Sequence, residues 1–258
     1  MSNATFYSQH GEDFLLNEIF NRKRDGFFVE IGCIDGIEYS NSYFFEKSGW
    51  KGLCIEAHNG FIKDLTKNRP NSRIIHCAVG EENLDKVTFY ANKIGSLSTL
   101  LRTEAQPAAP NSTESVWGHE EQTVPMRTLN NIFATAGVDK IDFVSMDIEG
   151  YEEYAIRGWD LNKYRPRVLL IEFMDKNHQQ SIQKMVEPFG YHLAGTIGCN
   201  AFYSINQSDD AVFDRSYGTV PLVHVDENGQ QTMHDAFLLK PNLWRKIKYR
   251  LRKLVSGK

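Results

Sequence analysis

Residues 27–36 read Phe-Phe-Val-Glu-Ile-Gly-Cys-Ile-Asp-Gly, an aromatic and β-branched run that ends in two glycines. Phe27 to Ile31 has the composition of a buried strand. A segment able to start a helix follows near Asn41. Strand, glycine turn and helix form the unit with which α/β proteins hold nucleotide-like ligands. Gly32 and Gly36 let the backbone take positive φ and approach a ligand closely. The free N–H groups of the helix start face an anion.

Two features point away from a dinucleotide. The spacing is G-x-x-x-G rather than the G-x-G-x-x-G of a diphosphate loop. Glu30, just before the turn, would repel a diphosphate and suits a ligand carrying an amino group and a sulfonium. Glu56 ends the next apolar run, Gly52-Leu53-Cys54-Ile55-Glu56, where an acid takes both hydroxyls of a ribose. NAD and S-adenosylmethionine share that second need, so Glu56 alone does not separate them. Ser40 and Asn41, in the capping cluster Tyr39-Ser40-Asn41-Ser42, are placed to hold a ligand carboxylate at a helix N-terminus. The third strand, Arg73 to Gly80, exits through Cys77, Ala78 and Val79, small residues that leave room for a flat adenine. An amphipathic helix over Phe14, Leu15, Ile19 and Phe20, capped by Ser8 or Asp13 and ending near Arg24, is expected ahead of the first strand. Gln9 and His10 at its entry are within reach of the turn. Cys33, Asp35 and Ala57 complete the expected cofactor contacts.

The second landmark is Ile141-Asp142-Phe143-Val144-Ser145-Met146-Asp147-Ile148-Glu149-Gly150. It reads as a fourth strand delivering Asp147 and Glu149 at its carboxyl end, where α/β ligand sites lie. A fifth strand, Arg167 to Phe173, delivers Glu172 to the same edge, and His178 follows. Asp147 is assigned to the cofactor's amino group. Glu149, Glu172, His10 and His178 are the candidates for a general base. The three acids together would also suit Mg²⁺, although no metal is assigned. An extra strand at Lys86–Tyr90 and a short strand at Gln122–Arg127 flank an aperiodic insertion, 93–120, of the kind that forms lids and binding loops. A helix capped by Thr128 and ended by Gly137 is expected, as is a terminal hairpin across Gly198.

At 258 residues, 41% of them hydrophobic, the chain suits one large globular domain over 1–240, without a membrane span. The four cysteines make no C-x-x-C pair, which favours reduced, buried thiols in a cytoplasm over zinc or redox chemistry. The last 18 residues hold seven of the 29 Lys and Arg and none of the 33 Asp and Glu. The body is therefore acidic, which argues against a nucleic-acid partner. The tail 241–258 places Leu243, Trp244, Ile247, Leu251 and Leu254 at helical spacing among basic residues, the pattern of a peripheral membrane contact. Docking of that stripe on the acidic body is the competing reading.

Phe28-Val29-Glu30-Ile31-Gly32 through Asp35-Gly36, Tyr39-Ser40-Asn41, Gly49-Trp50-Lys51-Gly52 and Cys54-Ile55-Glu56 resemble the cofactor half of FkbM-type methyltransferases. Ser8-Gln9-His10-Gly11-Glu12-Asp13 resembles that family's N-terminal signature, and Val124 to Leu129 and Met146 to Glu152 resemble its central motifs. Cys33, where alanine is common, and Ala57-His58-Asn59 depart from the pattern. The resemblance implies an α/β, class I methyltransferase Rossmann-like fold. That means a mostly parallel seven-stranded sheet, helices on both faces and an insertion between strands three and four. It also implies S-adenosylmethionine-dependent O-methylation of a hydroxyl on a sugar, a surface polysaccharide or a related natural product. A cytoplasmic role in polysaccharide biosynthesis follows, with a free, nucleotide-linked or lipid-linked glycan as partner. An NAD-dependent oxidoreductase and a non-catalytic cofactor-binding partner in glycan assembly are the alternatives.

Overall fold

The computed structural model describes residues 4–92, 98–100, 119–215, 218–225 and 230–238. In chain order the elements begin with α1 (Glu12–Ile19), β1 (Phe27–Ile31), α2 (Tyr43–Lys47), β2 (Lys51–Glu56), α3 (Ile62–Asn68) and β3 (Ser72–His76). Next come β4 (Ala78–Val79), β5 (Leu84–Asn92), β6 (His119–Arg127), α4 (Leu129–Ala136), β7 (Phe143–Met146), α5 (Glu152–Arg157) and β8 (Val168–Glu172). The chain continues through α6 (Lys176–Val186), β9 (His192–Ile197), β10 (Asn200–Ser204), α7 (Asp210–Phe213), β11 (Gly218–Val225) and β12 (Gln231–Leu238).

The main sheet has seven strands in the order β3-β2-β1-β7-β8-β10-β9. β3, β2, β1, β7 and β8 run parallel, and β10 is antiparallel to both β8 and β9. The order reverses between β1 and β7, so a crevice opens beyond their carboxyl ends. Apolar side chains cover both faces. Phe28, Phe143 and Phe202 pack with Leu15, Leu16 and Phe45 on one side. Val29, Val144 and Leu169 pack with Leu129, Phe133, Ile156 and Ile182 on the other. Near-continuous apolar strands are what two covered faces require.

Local chemistry sets several boundaries. Thr128 accepts a hydrogen bond from the Asn131 amide and Gly137 ends α4 at φ 66°, both as the sequence predicts. α1 ends earlier than expected, at Ile19, because the chain turns through left-handed Asn21 and Arg22. Its entry is closed by Asp13, whose carboxylate accepts from the Tyr7 amide at 2.7 Å and the Ser8 hydroxyl at 2.6 Å.

The third strand also departs from expectation. The main-sheet ladder ends with the Cys77 amide donating to the Glu56 carbonyl at 3.1 Å. Ala78 and Val79 then leave as β4 to pair in parallel with Met126 and Arg127. β4, β6 and β5 form a second, three-stranded sheet at the root of the insertion. A hairpin the sequence did not announce, β11–β12, carries Leu222, which bridges Phe6 near the N-terminus. Residues 93–97, 101–118 and the basic tail 241–258 lie outside the described residues. Among the described residues no helix is long and apolar enough to cross a membrane.

Candidate active site

Successive side chains of a strand point to opposite faces. In β1, Val29 and Ile31 belong to one core cluster and Phe28 to the other. Glu30 shares the face of Phe28 and points beneath α2 and α3, away from the crevice. Its carboxylate accepts from the Ser40 hydroxyl at 2.9 Å, the Ser42 hydroxyl at 2.7 Å, the Asn41 amide at 2.8 Å and Arg69 Nη1 at 3.1 Å. The expectation that Glu30 meets the cofactor is thereby corrected. The same holds for Ser40, whose hydroxyl is engaged by Glu30, and for Asn41, whose side-chain amide donates to the Ser145 hydroxyl at 3.0 Å.

Arg69, which no motif marks, is the residue that organises this face. It is fully buried, and its Nε donates to Glu46 at 2.8 Å while Nη1 donates to the Gly36 carbonyl at 3.1 Å. Gly36 serves this arginine rather than a ligand: at φ 85° an added Cβ would stand 2.6 Å from Arg69 Cγ. Asp35 closes the turn by accepting from the Ile37 and Glu38 amides. The Cys33 thiol is buried and donates to the Glu30 carbonyl at 3.1 Å. None of these side chains lines the crevice.

The crevice is a cavity of about 450 Å³, within the range of small-molecule sites. Gln9, Gly32, Glu56, Ala57, Cys77, Ala78, Val79, Asp147, Glu149 and Glu172 line it, as the sequence placed them. Glu56 Oε2 accepts from the Cys33 and Ile34 amides at 2.8 Å each, and Oε1 accepts from the His58 amide at 2.7 Å. A carboxylate has about four lone-pair sites, so Oε1 keeps one for a hydroxyl in the cavity. Burial raises the Glu56 pKa, against the pull of those three amides. Ala57, Ala78, Phe89 and Leu100 belong to one apolar cluster and form an apolar wall of the cavity. Phe89 lies in the strand expected at Lys86–Tyr90 but was not singled out for the site, and Ser98 and Leu100 belong to the insertion, where no periodicity marked them.

The other end is acidic. Carboxylate oxygens of Asp147, Glu149 and Glu172 all lie within 4.8 Å of one another. Asp147 is held well above the usual carboxylate range by burial and by the neighbouring Glu172 charge, and Glu172 is raised by burial. Two carboxylates this close in a buried site disfavour each other's charge, which adds to burial in raising the pair. Glu149 sits at φ 55°, and burial, then Asp147 and Glu152, push its pKa up to about 8. His10 and His178 do not reach the cavity. An added Cβ at Gly198 would stand 2.1 Å from His10 Cδ2, so the imidazole lies against the β9–β10 turn. His178 Nδ1 accepts from the Met174 amide at 3.2 Å, and Nε2 stands 3.6 Å from Glu152. Neither histidine is placed to act as a base.

Among solved structures, the chain is similar to a TehB-like S-adenosylmethionine-dependent methyltransferase from Corynebacterium glutamicum, at 11% identity and a TM-score of 0.40, over 76% of this chain and 88% of that one. It is also similar to the fibrillarin of Aeropyrum pernix with natively bound S-adenosylmethionine, at 10% identity and a TM-score of 0.40, over 70% of this chain and 66% of that one. Likenesses this distant carry no argument about the present site. No curated protein matches. The model of the methyltransferase FkbM domain matches residues 29–218, which contain the glycine turn, both landmark acid strands and every strand of the main sheet except part of β1. The chain therefore belongs to the FkbM methyltransferase family, and it is an S-adenosylmethionine-dependent methyltransferase of class I fold.

Proposed function

We propose that the protein methylates a hydroxyl of a sugar or glycan, with Glu149 as the general base. The observation that carries this reading is the acidic end of the cavity, where Glu149 stands beside Asp147 and Glu172. Bound S-adenosylmethionine supplies an electrophilic methyl whose leaving group is a neutral thioether, so no acid is needed to help departure. The chain must supply alignment and an acceptor for the hydroxyl proton. The open lone pair of Glu56 suits the ribose hydroxyls, and the apolar wall of Ala57, Ala78, Phe89 and Leu100 suits the adenine. Gly32, Gln9 and Asp147 also line the cavity and suit the amino-acid portion, Asp147 its amino group. As the acceptor oxygen bonds to the methyl carbon, its proton passes to the Glu149 carboxylate. A base whose pKa lies near the working pH does this best. An acid-lined wall also suits the many hydroxyl donors of a sugar ring.

The test is transfer of labelled methyl from S-adenosylmethionine to free and nucleotide-linked hexoses. Glu149→Gln is expected to lower turnover by about 10²–10⁴ while cofactor affinity stays nearly unchanged. Wild-type turnover rises with pH through about 8, as Glu149 loses its proton. Methylation only of non-sugar hydroxyls would refute the glycan class, and undiminished turnover in Glu149→Gln would refute the base. Activity abolished by EDTA would instead support a divalent cation among the three acids. Peripheral membrane contact through 241–258, and a lipid-linked acceptor, are proposals resting on the tail's sequence pattern alone.

A further inference from the structure

We infer that Glu152, backed by His178, is a positioning residue that holds Glu149 at the cavity wall. The inference rests on the reading of Glu149 as the reacting base. β7 delivers its last ladder bond when the Asp147 amide donates to the Ile31 carbonyl at 3.0 Å. The chain then makes a turn in which Glu149 and Gly150 are both left-handed, at φ 55° and 92°. A non-glycine residue at positive φ is held there only by its surroundings. Glu152 supplies them. Its side chain folds back over the start of α5, and Oε1 accepts from the Ile148 amide at 2.9 Å and, more weakly, from the Gly150 amide at 3.4 Å. These are the amides on either side of Glu149.

Glu152 is completely buried, so its second oxygen has no access to water and makes no hydrogen bond. That oxygen stands 3.6 Å from His178 Nε2. Because His178 Nδ1 accepts the Met174 amide proton, the ring proton lies on Nε2, on the side of Glu152. His178 is fixed in turn on the first turn of α6, whose cap Asp175 accepts from the His178 amide at 2.9 Å. From the opposite side, the Thr99 hydroxyl donates to the Glu149 carbonyl at 3.1 Å. The base is thus clamped between a carboxylate brace rooted in α5 and α6 and a latch from the insertion.

Two variants separate position from charge. Glu152→Asp keeps the charge but shortens the reach; Glu152→Gln keeps an acceptor oxygen at full reach but drops the charge. On the intact chain, amide exchange at Ile148 and Gly150 is expected to quicken roughly tenfold or more in Glu152→Asp and in Glu152→Ala. Val144 and Ser145 in β7 keep their rates, and Glu152→Gln, which keeps the acceptor oxygen but turns an N–H₂ toward the His178 Nε2–H, quickens less than Glu152→Asp. In the hexose assay kcat falls about 10–100-fold in Glu152→Asp and by clearly less in Glu152→Gln, with the KM for S-adenosylmethionine within about twofold in both. If Glu152→Ala does not fold, the Asp and Gln variants decide alone. Unchanged exchange in Glu152→Asp, or losses that follow the charge rather than the reach, would overturn the inference. Failure of the base reading shows separately, as full turnover in Glu149→Gln with the exchange pattern intact.

Discussion

Arg69 carries more of this fold than any residue the motifs single out. It joins Glu30 at the end of β1, Glu46 in α2 and the Gly36 carbonyl into one buried cluster, with its guanidinium 5.2 Å from the Phe28 ring centroid. Buried ion pairs are weak net stabilisers when whole and costly when one partner is removed. Arg69→Met is therefore expected to cost about 3–5 kcal/mol in urea denaturation, because Glu30 and Glu46 are left charged and uncompensated. A loss of less than about 1 kcal/mol would mean that the two acids shed their charge or find other donors. Glu30 itself shows how far one residue's role is legible. Its place at the strand end suggested a ligand contact, yet the alternation Phe28, Val29, Glu30, Ile31 already assigned it to the α2 face once one of its neighbours was known to face the crevice. Glu149 was legible as an acid at a strand end, but its left-handed backbone and raised pKa come from Glu152, Asp147 and burial.

At the scale of elements, capping chemistry translated for α4, whose Thr128 and Gly137 ends are local events that local residues decide, but not for α1, where Gly11 and no side chain takes the N-cap and the helix stops at Ile19 rather than near Arg24. The turn between β1 and α2 is decided by its neighbours as well. Gly32 takes φ 81°, and an added Cβ would lie 1.9 Å from the Asp147 carbonyl oxygen, across the gap between the first strand and the fourth. Gly32→Ala is expected to weaken S-adenosylmethionine binding by at least roughly tenfold and to lower the melting temperature, since both the left-handed backbone and the contact must give way. Wild-type affinity by calorimetry would show that the Asp147 strand can retreat at little cost. The break between β3 and β4 was not legible, because Ile74 to Val79 holds no Gly, Pro, Asn or Asp to mark a turn. What divides it is a partner: β6, nearly fifty residues further on, takes Ala78 and Val79 out of the main sheet.

For the whole molecule, the acids gathered at one edge make stability depend on pH. Burial lifts Asp13 to about 7, Glu152 to about 7 and Glu149 to about 8. Raised folded values mean that the native state binds more protons than the unfolded chain through this window, so its stability falls as pH rises. The contribution is whole below the ordinary carboxyl range and is lost as pH climbs through about 7 to 8. The denaturant midpoint of the protein alone is expected to be higher at about pH 5.5 than at about pH 8.5, with a shallower decline in Glu149→Gln. An equal midpoint at both would mean that these groups titrate like exposed carboxyls. The periodicity of apolar residues, the glycine turns and the order of strands and helices were enough to state a mostly parallel sheet and the edge where its ligands lie, and the family resemblance of the motifs added the class I type. Those features repeat over a few residues and obey local rules. The ion cluster around Arg69, the departure of β4, the bridge from Phe6 to the β11 strand and the brace on Glu149 join residues far apart in the chain or on separate elements, and no short-range pattern encodes them. They exist because burial forces each charge and each backbone N–H to find a partner, and only the packed arrangement of elements brings that partner within reach.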